Sequence, residues 1–299
     1  MPRKQSPSHG IRYLSPAALS STSIWATFRG DAESLTHLHA TLLVALREKI
    51  GDGLSGADLS DMDDAGAESW VEQVQIAVQK EPSDATGLGE LKVLAGVLPA
   101  VTDAAAWPRL DVPSDFDARL QILSRLGWRD YQLDAIRAVA SAPLGRGILE
   151  LGTGAGKTRL AVGLVWCLSP DTDKWAYVVH GVDLVRQAQS TFDSWLPRLN
   201  ASIGSSVSCS CMGWAALRRT AGVSGVVCDE VHGVAAAGRA QAMAAFRGHW
   251  RIGLSGTPTD RADGKGLQVI GLVGPVLYTV GVRDLQSEGY LAESAVQYV

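Results

Sequence analysis

Gly152-Thr153-Gly154-Ala155-Gly156-Lys157-Thr158 has the residue types and order of a phosphate cradle. Glycines let the backbone curl until successive N–H groups face an anion. A helix starting at the same point would add its dipole. In such a loop the lysine reaches the β- and γ-phosphates and the hydroxyl residue ligates Mg²⁺, which assigns Lys157 and Thr158. Leu151 stands where the strict form of the pattern has its first glycine. Hydrolysing a nucleoside triphosphate also requires an acid for the metal and a group that activates water. Asp229 and Glu230, closing the apolar run Gly225-Val226-Val227-Cys228, are the candidates. Asp229 is the expected Mg²⁺ partner and Glu230 the expected base.

These loops need elements to position them. Gly147-Ile148-Leu149-Glu150-Leu151 reads as a buried strand, and Arg159 to Trp166 as the following helix. Further strands are expected at 176–180, 205–210, 225–229 and 251–255, with helices near 157–169, 182–197, 213–221 and 235–247. Helices at 118–126 and 131–142 would open this part. The tail 282–291 reads as a helix capped by Gly289, and 295–299 as a strand. Alternating strands and helices make the fold class α/β, a parallel sheet covered by helices on both faces. Ligands of such sheets sit beyond the carboxyl ends of the strands, so the two candidate loops should meet on one edge.

Residues 1–115 carry no chemical motif and are expected to form a small, mostly helical accessory domain. Its first ~30 residues, rich in Ser and Pro, should be loosely ordered. Helices are expected at 35–50, 68–79 and 88–98, a loop at 51–66 and a linker at 99–113. Residues 116–299 would be the nucleotide-binding domain. Residues 1–118 hold nine Lys/Arg against seventeen Asp/Glu, and 119–299 hold eighteen against fourteen. A surface that follows a phosphate backbone belongs on the more basic part. The four cysteines, Cys167, Cys209, Cys211 and Cys228, include no Cys-x-x-Cys pair. Buried thiols in a reducing, cytoplasmic setting are therefore expected. No apolar run approaches the length of a membrane span, so no membrane partner is expected.

Five motifs in order resemble the first motor lobe of the superfamily 2 DExH-box helicases and translocases, over about residues 120 to 299. Asp229-Glu230-Val231-His232 resembles the DExH box. Gly127-Trp128-Arg129-Asp130-Tyr131-Gln132 resembles the Q motif, which implies that Arg129 and Gln132 meet adenine. Tyr177 to Gln187 resembles motif Ia, which implies nucleic-acid backbone contacts by His180, Arg186 and Gln187. Ile252-Gly253-Leu254-Ser255-Gly256-Thr257-Pro258 resembles motif III, with Gly256 for the usual Ala and the hydroxyls of Ser255 and Thr257 kept. Asp260-Arg261-Ala262-Asp263-Gly264 resembles the segment after it in phage-type, restriction-type and repair-type DNA translocases. The resemblance implies a RecA-like lobe, ATP and Mg²⁺ as ligands, and nucleic acid as track, with DNA favoured over RNA. The resemblance implies that His232 couples nucleotide state to the track. A second RecA-like lobe, absent from these residues, would come in cis or from a partner chain. The competing reading is a half-motor that binds nucleotide with little turnover of its own.

Overall fold

The computed structural model describes residues 25–30, 32–46, 78–81, 89–101, 107–259 and 265–292. In chain order the elements are β1 (Trp25–Gly30), α1 (Ala32–Leu46), β2 (Val78–Glu81), β3 (Gly89–Leu94) and α2 (Leu98–Val101). Next come α3 (Phe116–Arg125), α4 (Asp130–Ala140), β4 (Arg146–Leu151), α5 (Lys157–Leu168), β5 (Lys174–Val178) and α6 (Val182–Ile203). Then follow β6 (Ser208–Met212), α7 (Trp214–Leu217), β7 (Gly225–Asp229), a 3-10 turn (Val231–Ala235), α8 (Ala237–Ala245) and β8 (Trp250–Ser255). The last three are α9 (Gly266–Val273), β9 (Val276–Val280) and α10 (Val282–Ser287).

The expected α/β architecture, a parallel sheet covered by helices on both faces, is present. Six strands form one sheet in the order β6-β5-β7-β8-β4-β9, and every pairing in it is parallel. Successive side chains on a strand face opposite sides, and these strands are apolar on both. Ile148, Ala176, Val178, Val226 and Cys228 enter one core with α8 and α9 residues. Leu149, Trp175, Tyr177, Val227 and Ile252 enter the other with α3 to α6 residues. Arg119, 1% exposed, ties α3 to the end of α5. It donates to the Trp166 and Ser169 carbonyls at 2.8 and 3.0 Å and pairs with Asp171 at 3.0 Å.

The first part differs from expectation. Residues 25–30 are a strand rather than loose chain, and 89–94 is a strand where a helix was expected. Together with β2 they form an antiparallel sheet in the order β1-β3-β2. Its alternating pattern buries Ala26 and Phe28 from β1 and Leu91 and Val93 from β3. That period of two belongs to a strand and not to a helix. The helix expected from 35 is α1, burying Leu35, Leu38, Leu42 and Leu46 along one face. The 51–66 loop, nearly all of the 68–79 helix, the Asp260–Gly264 segment and the 295–299 strand lie outside the described residues.

The small sheet shares its apolar core with α8 and α9. Just after β3 the chain comes onto α9 at Gly96, whose N–H donates to the Gly271 carbonyl at 3.2 Å. A Cβ on Gly96 would lie 2.9 Å from both the Gly271 carbonyl oxygen and the Gly274 nitrogen, and nearer still to the Ile270 carbonyl. Backbone cannot give way as a flexible side chain can. Gly96→Ala should therefore cost about 1–3 kcal/mol and lower the melting temperature by roughly 2–4 °C per kcal/mol. An unchanged melting curve would contradict this docking geometry.

Candidate nucleotide and nucleic-acid site

The register of the sheet places the carboxyl ends of β5, β7, β8 and β4 side by side. Val178 lies opposite Cys228, Asp229 opposite Leu254, and Glu150 opposite Ser255. The glycine loop leaves β4 and enters α5 at this edge. Gly154 and Gly156 have φ of +84° and +69°, a region that L side chains rarely adopt. Ala155 N–H donates to the Gly152 carbonyl at 3.2 Å, and Gly152 N–H to the Val280 carbonyl at 3.1 Å. Thr153 lies in the exposed stretch of the loop.

Lys157 and the Asp229-Glu230 pair, distant in sequence, meet here. Lys157 Nζ lies 3.4 Å from Glu230 Oε1 and donates to the Leu151 carbonyl at 3.4 Å. Glu230 Oε2 lies 3.3 Å from His232 Nδ1, which is 3.1 Å from Ser255 Oγ. Thr257 N–H donates to the same Ser255 oxygen at 3.3 Å. A chain of polar contacts thus runs Lys157–Glu230–His232–Ser255–Thr257. Glu230 adopts φ +47°, a left-handed conformation costly for a residue with a Cβ and recurrent at functional sites.

Tyr177 was given no separate role by the sequence. Its hydroxyl donates to Asp229 Oδ2 at 2.9 Å. One phenol therefore holds a carboxylate expected to bind the metal. Burial pushes the Tyr177 hydroxyl well above its ordinary range, and the Asp229 charge adds to that shift. Asp229 is itself raised, chiefly by desolvation. The Glu230 charge adds to this, while the Tyr177 hydrogen bond and Lys157 oppose it.

Arg129 and Gln132 flank the loop from α4. Gln132 is 2% exposed. Its Oε1 accepts the Arg129 N–H at 3.1 Å and its Nε2 donates to the Ala155 carbonyl at 3.2 Å. Tyr131 donates to the same carbonyl at 2.7 Å.

A second feature opens at the same edge. His180, just past β5, lies 3.5 Å from Arg239 Nη2 on α8. They border an open cleft of about 870 Å³, also lined by Gly181, Trp214, Arg218 and Arg219. No acidic residue lines it among the described residues. Arg186 and Gln187 are exposed near the start of α6, and Arg186 makes a 3.4 Å pair with Asp183. Ser255 is fully buried, so it joins the polar chain and not the surface. Arg239 has no local sequence signal, because its approach to His180 exists only once β5 and β7 pair.

All four cysteines carry free thiols, and Cys167, Cys209 and Cys228 are buried. Among the described residues, no helix is long and apolar enough to cross a membrane.

Residues 125–211 match the family described as the type III restriction enzyme, res subunit. The DNA 3'-5' translocase XPB2 of Sulfurisphaera tokodaii is 30% identical over 186 residues, which are 59% of this chain and 40% of that protein. The chain thus spans less than half the length of this relative. Among solved structures, the UvsW helicase of bacteriophage T4 is similar with 17% identity and a TM-score of 0.41, covering 57% of this chain and 69% of that one. The Sulfolobus solfataricus SWI2/SNF2 ATPase core is similar with 16% identity and a TM-score of 0.39, covering 48% and 35%.

Proposed function

We propose that this chain, which resembles the first motor lobe of the superfamily 2 helicases and translocases, hydrolyses Mg·ATP to drive movement along nucleic acid, DNA in preference to RNA. We keep the division near residue 115, with residues 1–115 as an accessory part and 116–299 as the motor lobe. The observation that carries the reading is the meeting of Lys157 with Glu230 beside Asp229 at the mouth of a glycine loop.

The residues present fit the ligands. The positive φ at Gly154 and Gly156 gives a curled backbone whose N–H groups can face phosphate oxygens. Lys157 would hold the β- and γ-phosphates, with Thr153 and Ala155 contributing backbone N–H groups. Thr158 and Asp229 would hold Mg²⁺, which when bound offsets charge on the transferred phosphoryl group. Glu230 would take a proton from the attacking water, and must leave Lys157 to do so. Arg129 would meet the base. Gln132 uses one N–H and one lone pair of its amide in its present contacts and keeps one of each with which to read the adenine edge.

His180, Arg186, Gln187 and Arg239 would bind the phosphate backbone, giving little sequence preference. The arginine-lined cleft supports this, since cations there displace counterions condensed on the strand. The contacts from Glu230 through His232 to Ser255 and Thr257 tie the proposed base to the segment that resembles motif III, which supports a coupling role for His232. The four free thiols support a cytoplasmic setting.

Two rivals remain distinct: an ATPase that remodels protein, and a half-motor that binds nucleotide without turning it over. Turnover measured with and without DNA and RNA separates all three.

Tyr177→Phe tests the metal side separately. The ring packs against Phe192 at 5.4 Å, so Phe should keep the core while removing the hydrogen bond to Asp229. The Mg²⁺ concentration needed for half-maximal nucleotide binding should rise by about three- to tenfold, equivalent to the ~1 kcal/mol of one hydrogen bond. An unchanged Mg²⁺ requirement would show that the hydroxyl does not orient Asp229.

A further inference from the structure

The segment after β9 builds a second wall on the phosphate loop. Gly281 N–H donates to Asp284 Oδ2 at 2.8 Å, which caps α10. The helix ends through Gly289 at φ +75°, and the N–H groups of Tyr290 and Leu291 both return to the Leu285 carbonyl, at 2.8 and 3.0 Å. That turn brings the chain back onto the loop. Leu291 packs on Gly154, where an added Cβ would lie 2.7 Å from Leu291 Cδ2.

Tyr290 is thereby set against Arg129. The guanidinium carbon lies 4.9 Å from the Tyr290 ring centroid. Tyr131 meets the same ring edge-to-face at 5.4 Å. Arg129 Nη1 also donates to the Tyr131 hydroxyl at 3.0 Å. Arg129 is thus held by two aromatic residues, both tied to the loop. Gln132 is buried with both ends of its amide engaged, whereas Arg129 is partly exposed. A planar guanidinium held over one ring can stack a second ring on its opposite face.

We propose that Tyr290 is a positioning residue for the nucleotide base, holding Arg129 so that a purine ring stacks on the guanidinium above the phosphate loop. This rests on the nucleotide-binding reading above. Stacking engages the face of the ring and not its edge, so ATP and GTP should respond alike.

The test is calorimetric titration of the whole chain, with Mg²⁺, by ATP, GTP and inorganic tripolyphosphate. Tyr290→Ala should weaken ATP and GTP by about three- to tenfold, the worth of one cation–π contact, and leave tripolyphosphate unchanged. Tyr290→Phe should restore both nucleotides. Tyr290→Leu, which keeps bulk but has no π face, should behave like the alanine variant and decides the matter if that variant fails to fold. ATP affinity unchanged in Tyr290→Leu would overturn the proposal alone. So would an equal loss of tripolyphosphate, which would mean that Tyr290 only shapes the loop. A parent chain that binds none of the three ligands would overturn the nucleotide-binding reading and this proposal with it.

Discussion

Lys157→Ala should lose Mg·ATP binding by about a hundredfold or more and abolish hydrolysis. The Lys157 side chain is only 16% exposed, and charge interactions strengthen as water is excluded. One hydrogen bond between charged partners contributes about 1.5–3 kcal/mol, and each 1.4 kcal/mol is roughly tenfold in affinity. Contacts to two phosphates therefore set the size of the loss. The fold should survive, because among the described residues Nζ makes, besides the Glu230 pair, one long contact to the Leu151 carbonyl. Calorimetry with Mg·ATP, alongside a melting curve, checks both halves. A variant that melts and binds like the parent would remove the phosphate-loop assignment.

Glu230→Gln should fail in the opposite way. Its carboxylate lies 3.4 Å from Lys157, where it competes with the anion that the lysine would bind. Neutralising it removes the competitor and the base together. Nucleotide binding should therefore hold or tighten by a few-fold, the pair being half exposed on the Glu230 side and so weak. Hydrolysis should fall by about a hundredfold or more, the usual worth of a positioned base. Single-turnover hydrolysis beside equilibrium binding separates the two effects. Normal cleavage by Glu230→Gln would end its role as base, and reduced binding would mean that the Lys157 contact is not competitive.

The sheet was legible because β4, β5, β7 and β8 are short apolar runs between amphipathic helices. The segments at 205–210 and 176–180 shift to β6 at 208–212 and β5 at 174–178, since strand ends are set by pairing rather than composition. α9 and β9 were not anticipated. All eight residues of α9 are buried, so it has no polar face and no helical period to detect. β9 follows Gly274-Pro275 and lies at the sheet edge, where apolar patterning is weakest. The site was legible wherever chemistry is local, as in the glycine loop and Asp229-Glu230. Tyr177, Arg239 and Tyr290 were not, because each matters through a partner supplied by another element. The helical reading of 88–98 failed for a related reason, since Leu91 and Val93 are buried by pairing with β1 and β2.

The most direct measurement is ATP turnover by these 299 residues, alone and joined to a second motor lobe, with single-stranded, duplex and branched DNA and with RNA. Alone, hydrolysis should be slow, because an arginine supplied from a second lobe is typically worth on the order of a thousandfold in rate. With the second lobe, turnover should rise steeply and be stimulated by DNA more than by RNA. Added salt should weaken that stimulation by screening the arginine-lined cleft. Turnover indifferent to every nucleic acid in the two-lobed form would contradict the motor account and favour a protein-remodelling ATPase.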